Sequence, residues 1–191
     1  MAVREPTERS VKAEVAERFL RFQDAQQTLH KIRGEYLHSM IQIEELIDGV
    51  IIAYFKPDEA SQFIEWMVSR VSFSGKLEVL RRILQEVDLW TTYKDLWRRI
   101  DQLRSERNRF AHSGLSFIEN SFLDPEGEFT LTRHHSAKQT RPDPNTTIGV
   151  RSLEALVNNA QSALVEFLPV EADVLARHGE LAEVFWRPGL E

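Results

Sequence analysis

From Tyr36 to Tyr54 the residues Tyr36, Met40, Ile43, Ile47, Val50 and Tyr54 recur in steps of 4, 3, 4, 3 and 4. Only an α-helix brings residues at that spacing onto one face, and a face this apolar must be covered by other elements. Val11, Val15, Phe19, Phe22 and Leu29 carry the same kind of spacing towards the N-terminus. Residues 7–55 therefore read as one very long helix or two stacked in series. Gly34 is the one break, at a cost of about 1 kcal/mol relative to alanine. Pro57 ends the run, because proline disfavours the α conformation at the residue before it.

The remainder is read in the same way. Asp58 is placed to cap a helix with Phe63, Ile64, Met67 and Val71 inward. A further helix spans about 76–87, with Leu77, Leu80, Ile83, Leu84 and Val87 inward. Ser74-Gly75-Lys76 lacks the upstream glycine, the following Ser/Thr and the preceding strand of a phosphate loop, so it reads as a helix start. Residues 92–112 form a strongly amphipathic helix, stopped by Ser113-Gly114. Ser116-Phe117-Ile118 and Phe129-Thr130-Leu131-Thr132 flank Asp124-Pro125-Glu126-Gly127, whose residues suit a type I turn, so a small hairpin is expected over 116–133. Residues 141–145 read as loop, and a last long helix from about 150 ends at Pro169.

These elements define an all-α fold, an up-and-down bundle of four to five long helices with a small β-hairpin insertion. The expected organisation is an N-terminal helical extension (1–34), the bundle (35–170) and a C-terminal helical tail (171–191).

Charge and composition exclude several function classes. Lys and Arg number 24 against 30 Asp and Glu, a net charge of −6, which argues against a broad electrostatic grip on nucleic acid. The absence of cysteine excludes disulfides, thiolate metal sites and a cysteine nucleophile. No run reaches the roughly 20 mostly apolar residues of a membrane span, and the N-terminus lacks the apolar core of a signal peptide. A cytoplasmic location without membrane contact is the expectation. No metal site is expected either. His134 and His135 are adjacent on a strand reading and point to opposite faces, while His30 and His38 read as solvent-facing.

Chemistry concentrates in Arg104-Ser-Glu-Arg107-Asn108-Arg109-Phe110-Ala111-His112. The stripe Tyr93, Ile100, Leu103, Phe110 calls for an apolar residue at 107, and the sequence supplies arginine. A guanidinium on an inner face must be paired or serve a purpose. Glu44, beside Met40 and Ile47, is one candidate partner; snorkelling along the bundle edge is the other outcome. His112 stands at the helix end, where the dipole favours its protonated form, and histidine is the natural general acid or base near neutral pH. Residues 93–115 hold six positive against three negative side chains, a modest basic island.

Arg107-Asn108-Arg109-Phe110-Ala111-His112 resembles the signature of the HEPN superfamily, an Arg followed by a polar residue and then a His after four to six intervening residues. The helical order around it, from Tyr36, Glu44 and Tyr54-Phe55 through Ser72–Lys76 to the motif helix, is similar to that of bacterial stand-alone members over roughly 35–168. The resemblance implies a homodimer with motif helices side by side and a metal-independent endoribonuclease without cofactor. Such enzymes are found as toxins with an antitoxin partner or in phage defence. Arg107 and His112 match the catalytic pair and Asn108 the polar residue beside them; Arg104 and Arg109 match no motif position and are candidates for holding the RNA backbone. Gly114 stands where a subgroup carries a modifiable tyrosine.

The chemistry stands apart from the family. Cleaving single-stranded RNA without a metal needs proton transfer at the 2′-oxygen and the 5′-oxygen, which suits histidine, and a fork on the phosphorane oxygens, which suits arginine. One histidine per chain makes a twofold dimer the way to obtain both a base and an acid. The competing reading is a non-catalytic interaction or nucleotide-binding module, for which four tryptophans and eleven phenylalanines offer contact surface.

Overall fold

The computed structural model describes residues 8–55, 61–117, 128–133 and 146–185. They form α1 (Glu8–Phe55), α2 (Ser61–Arg70), α3 (Phe73–Glu86), α4 (Trp90–His112), β1 (Ser113–Phe117), β2 (Glu128–Arg133), β3 (Thr146–Gly149), α5 (Val150–Phe167) and α6 (Val170–Phe185). Helices dominate, as the periodicities require. Six are described rather than four to five, because α2, of ten residues, and α6 are separate helices. Among the described residues no helix is long and apolar enough to cross a membrane.

The expected two-stranded hairpin is corrected. The described strands form a three-stranded antiparallel sheet in the order β1-β2-β3. β1 starts at Ser113, where the sequence suggested only a helix stop, and pairs Leu115 with Leu131 and Phe117 with Phe129. The third strand, Thr146-Thr-Ile-Gly149, pairs Phe129 with Ile148. Its β-branched residues favour extended backbone, but a four-residue run next to a Pro-Asp-Pro loop gives too little alternation to read as a strand. The turn at 124–127, the loop at 141–145, His134-His135 and Asp58 lie outside the described residues.

The chain divides into two compact units. One comprises Met1–Glu35 and Arg109–Ala155; in it Leu29, Ile32, Phe110 and Leu153 are buried, and Arg33 Nη2 donates to the Ala111 carbonyl at 3.4 Å. The other comprises Tyr36–Asn108 and Leu156–Glu191 and holds most of the described core. Its buried residues include Tyr36, Met40, Ile43, Ile47 and Val50 of α1, Leu77, Leu80, Ile83 and Leu84 of α3, Ile100 and Leu103 of α4, Ala160, Ala163 and Phe167 of α5, and Val170 and Val174 of α6.

Of the two arrangements open for residues 7–55, the structure has the single helix. Helix α1 runs 48 residues through Gly34, a length of about 72 Å at 1.5 Å per residue. A glycine without positive φ is only a weak breaker, and the helix on either side carries it. The apolar stripe is buried at Leu29 and at Tyr36–Val50, yet Val15 and Phe19 on its N-terminal continuation are 62% and 58% exposed.

Helix α2 turns a different face inward from the expected one. Val68 is buried while Met67 and Val71 are exposed; with so few turns, the stripe through 63, 67 and 71 and the one through 64 and 68 differ by a single residue. Helix α3 starts three residues earlier than expected, because Ser72 caps it by accepting from the Gly75 N–H at 3.3 Å. It closes over Asp88, which adopts φ 57°, with the Leu89 N–H reaching back to the Leu84 carbonyl at 2.8 Å. That is a Schellman closure with aspartate in the place glycine usually takes.

Candidate functional site on helix α4

The motif residues occupy the last turns of α4. Leu96, Ile100, Leu103 and Phe110 are buried on the stripe the sequence shows, which fixes the rotation of the helix. Arg107, at the polar position of that stripe, is half-buried. Its Nη1 donates to Asn108 Oδ1 at 3.3 Å. Among the described residues no carboxylate pairs with it. The boundary between the two units falls after Asn108, so Arg109 to His112 belong to the other unit. Arg109 is half-buried there, and His112 is the last residue of α4; the placement of the His112 side chain lies outside the described residues.

The expected pairing of Arg107 with Glu44 is corrected. Glu44 Oε1 accepts from Lys76 Nζ at 2.9 Å, and the same Nζ donates to Asp48 Oδ2 at 2.7 Å. Glu44 and Asp48 are one turn apart on α1, and Lys76 on α3 bridges them. Lys76 is 5% exposed. Burial pulls its pKa down, but the hydrogen bonds it donates to Asp48 and Glu44 outweigh this and hold it above the ordinary lysine value. Burial, with Glu44 and Glu45 nearby, pushes Asp48 above the usual carboxylate range despite Lys76. Among the described residues, Asp48 Oδ1 is buried and meets no hydrogen-bond partner.

The two arginines proposed for RNA backbone contact are partly engaged. Arg104 Nε donates to Asp101 Oδ1 at 2.8 Å and its Nη2 reaches Ser105 Oγ at 3.5 Å. Asn108, the polar residue of the motif, presents its carbonyl oxygen to Arg107. On the same helix, Arg99 pairs with Glu166 of α5 at 2.5 Å, which with a hydrogen bond from Ser162 holds the Glu166 carboxyl below its ordinary range. Arg98 pairs with Asp95. Much of the basic island is thus neutralised within the chain, and Arg107 is the member whose described partner is a neutral amide.

Two residues were not singled out for these roles by spacing. Tyr36 reads as an apolar member of the α1 stripe, yet its hydroxyl donates to the Leu103 carbonyl at 2.6 Å. Lys76 follows a glycine in a helix-start tripeptide, but it lies three residues after Phe73 and four before Leu80, on the inner face. That spacing was the available signal. No group of three or more His, Asp or Glu positioned to hold a metal ion occurs among the described residues. No protein-family model, no curated protein and no solved structure matches the chain.

Proposed function

We propose that the chain is a metal-independent endoribonuclease of the HEPN kind, a toxin or phage-defence effector acting on single-stranded RNA at a site completed by a second copy. The observation that supports this most is the state of Arg107. A structural arginine on an inner stripe would be held by a carboxylate; this one is half-buried, with Asn108 as its hydrogen-bond partner, and retains donors for a phosphate.

In the proposed reaction His112 of one copy takes the proton of the ribose 2′-OH, whose oxygen attacks the adjacent phosphorus. His112 of the second copy gives a proton to the departing 5′-oxygen. Arg107 lies against the non-bridging oxygens, where charge builds up in the transition state. The products are a 2′,3′-cyclic phosphate and a free 5′-OH, and no water is consumed in this step. Arg109 adds positive charge for the strand.

The test is cleavage of single-stranded RNA in excess EDTA, with sedimentation measured across micromolar protein concentrations. The expected result is a dimer that leaves cyclic-phosphate ends, with activity lost in Arg107→Ala and in His112→Ala. A monomer without cleavage places the chain with non-catalytic interaction modules.

A further inference from the structure

We infer that Tyr36 is a positioning residue for Arg107, fixing the α4 backbone from which the guanidinium projects; the functional weight of this rests on the ribonuclease reading above. Tyr36 is 2% exposed, and its hydroxyl donates to the Leu103 carbonyl at 2.6 Å. Leu103 is the residue whose carbonyl the Arg107 N–H meets in the i to i−4 ladder of an α-helix. One buried hydroxyl therefore holds the carbonyl end of the single ladder step that carries Arg107.

Location makes this contact consequential. Arg107 lies five residues from the end of α4, where the last four carbonyls lack helical partners and the helix opens most readily. Its neighbours on the stripe, Leu103 and Phe110, are buried, and the directed hydrogen bond from α1 adds to that packing a fixed point on the backbone itself. Burial raises the Tyr36 pKa, and Glu106 raises it further, so the hydroxyl keeps its proton and remains a donor. A residue meant only to fill the stripe needs no hydroxyl: a phenylalanine would cover the same apolar area.

Tyr36→Phe keeps the ring and deletes the anchor. The expected result is amide hydrogen exchange at Arg107 faster by about tenfold, the equivalent of one net hydrogen bond, with Leu96 and Ile100 unchanged. RNA cleavage by the same variant should lose about tenfold in kcat at unchanged KM. Faster exchange spread evenly along α4, unchanged exchange at Arg107, or an effect on KM alone overturns the positioning role. If the wild type does not cleave RNA, the ribonuclease reading fails, and the exchange measurement still decides whether Tyr36 fixes Arg107. Should the variant not fold, the wild-type protein decides: a slowly exchanging Tyr36 hydroxyl proton with a nuclear Overhauser contact to the Arg107 amide is expected, and its absence overturns the inference.

Discussion

Lys76 Nζ lies 2.7 Å from Asp48 Oδ2, so that a helix start on α3 is fixed to α1 by an ion pair rather than by apolar contact alone. Because the lysine also serves Glu44, removing it strands two carboxylates. Lys76→Met should lower stability by about 3–5 kcal/mol in denaturant unfolding at neutral pH. A loss below about 1 kcal/mol would mean that the carboxylates find water.

Asp48→Asn is expected to behave in the opposite way. With its pKa raised in the fold, Asp48 contributes stability that is complete below the unfolded aspartate value of about 3.9 and is lost as pH rises through the folded value. The amide removes that loss. The stability of the Asp48→Asn variant relative to the wild type should therefore increase with pH from about 4 upwards, as read from melting temperatures across the range.

Arg107→Ala should cost less than about 1 kcal/mol, since the described hydrogen bond that is lost is a long one, 3.3 Å, to a neutral amide and no buried carboxylate is left behind. Thermal unfolding of this variant separates a group held for a ligand from one held for the fold.

All three tyrosines are perturbed in one direction. Burial and the nearby Glu86 push Tyr54 up to about 12, burial and Asp173 push Tyr93 up to about 12, and Tyr36 lies above the ordinary value of about 10 as well. Groups raised in the fold stabilise it below their unfolded pKa, and that stability is lost as pH climbs towards the folded values. Tyrosinate absorbance should thus stay low at pH 10 and rise together with the loss of helical dichroism. A separate tyrosinate step in folded protein near pH 10 would contradict this.

Two glycines should respond with opposite sign. At Gly34 a new Cβ meets nothing within 4 Å, so Gly34→Ala should gain about 0.5–1 kcal/mol from helix propensity. At Gly75 the Cβ would stand 2.7 Å from Val71 Cγ1, a stiff β-branched side chain. Gly75→Ala should lose about 1 kcal/mol despite its better propensity.

Periodicity alone gave the helices and most of the core, because burial on one face is written into spacing: Met40, Ile43, Ile47 and Val50 on α1, and Leu77, Leu80, Ile83 and Leu84 on α3, are all buried. Partner choice was not legible. Glu44 was recognisable as an inward carboxylate, but whether Lys76 or Arg107 would reach it depends on how α1, α3 and α4 are rotated and offset, which no single helix records. Tyr36 shows a related limit. Its ring obeys the stripe, and the pattern says nothing about where its hydroxyl points. The third strand was missed because Thr146–Gly149 is too short to show alternation.

The contacts that cover α1 are distant in sequence. Tyr36 meets a carbonyl 67 residues further on, and Glu44 meets a lysine 32 residues further on. At a synthesis rate of about 5–20 residues per second, Leu103 is made roughly 3–13 seconds after Tyr36. Until α3 and then α4 have followed, a helix bearing Met40, Ile43, Ile47 and Val50 lacks its full native cover. Through that interval the charged face of α1 is what keeps the nascent chain out of aggregates, before the finished core exists.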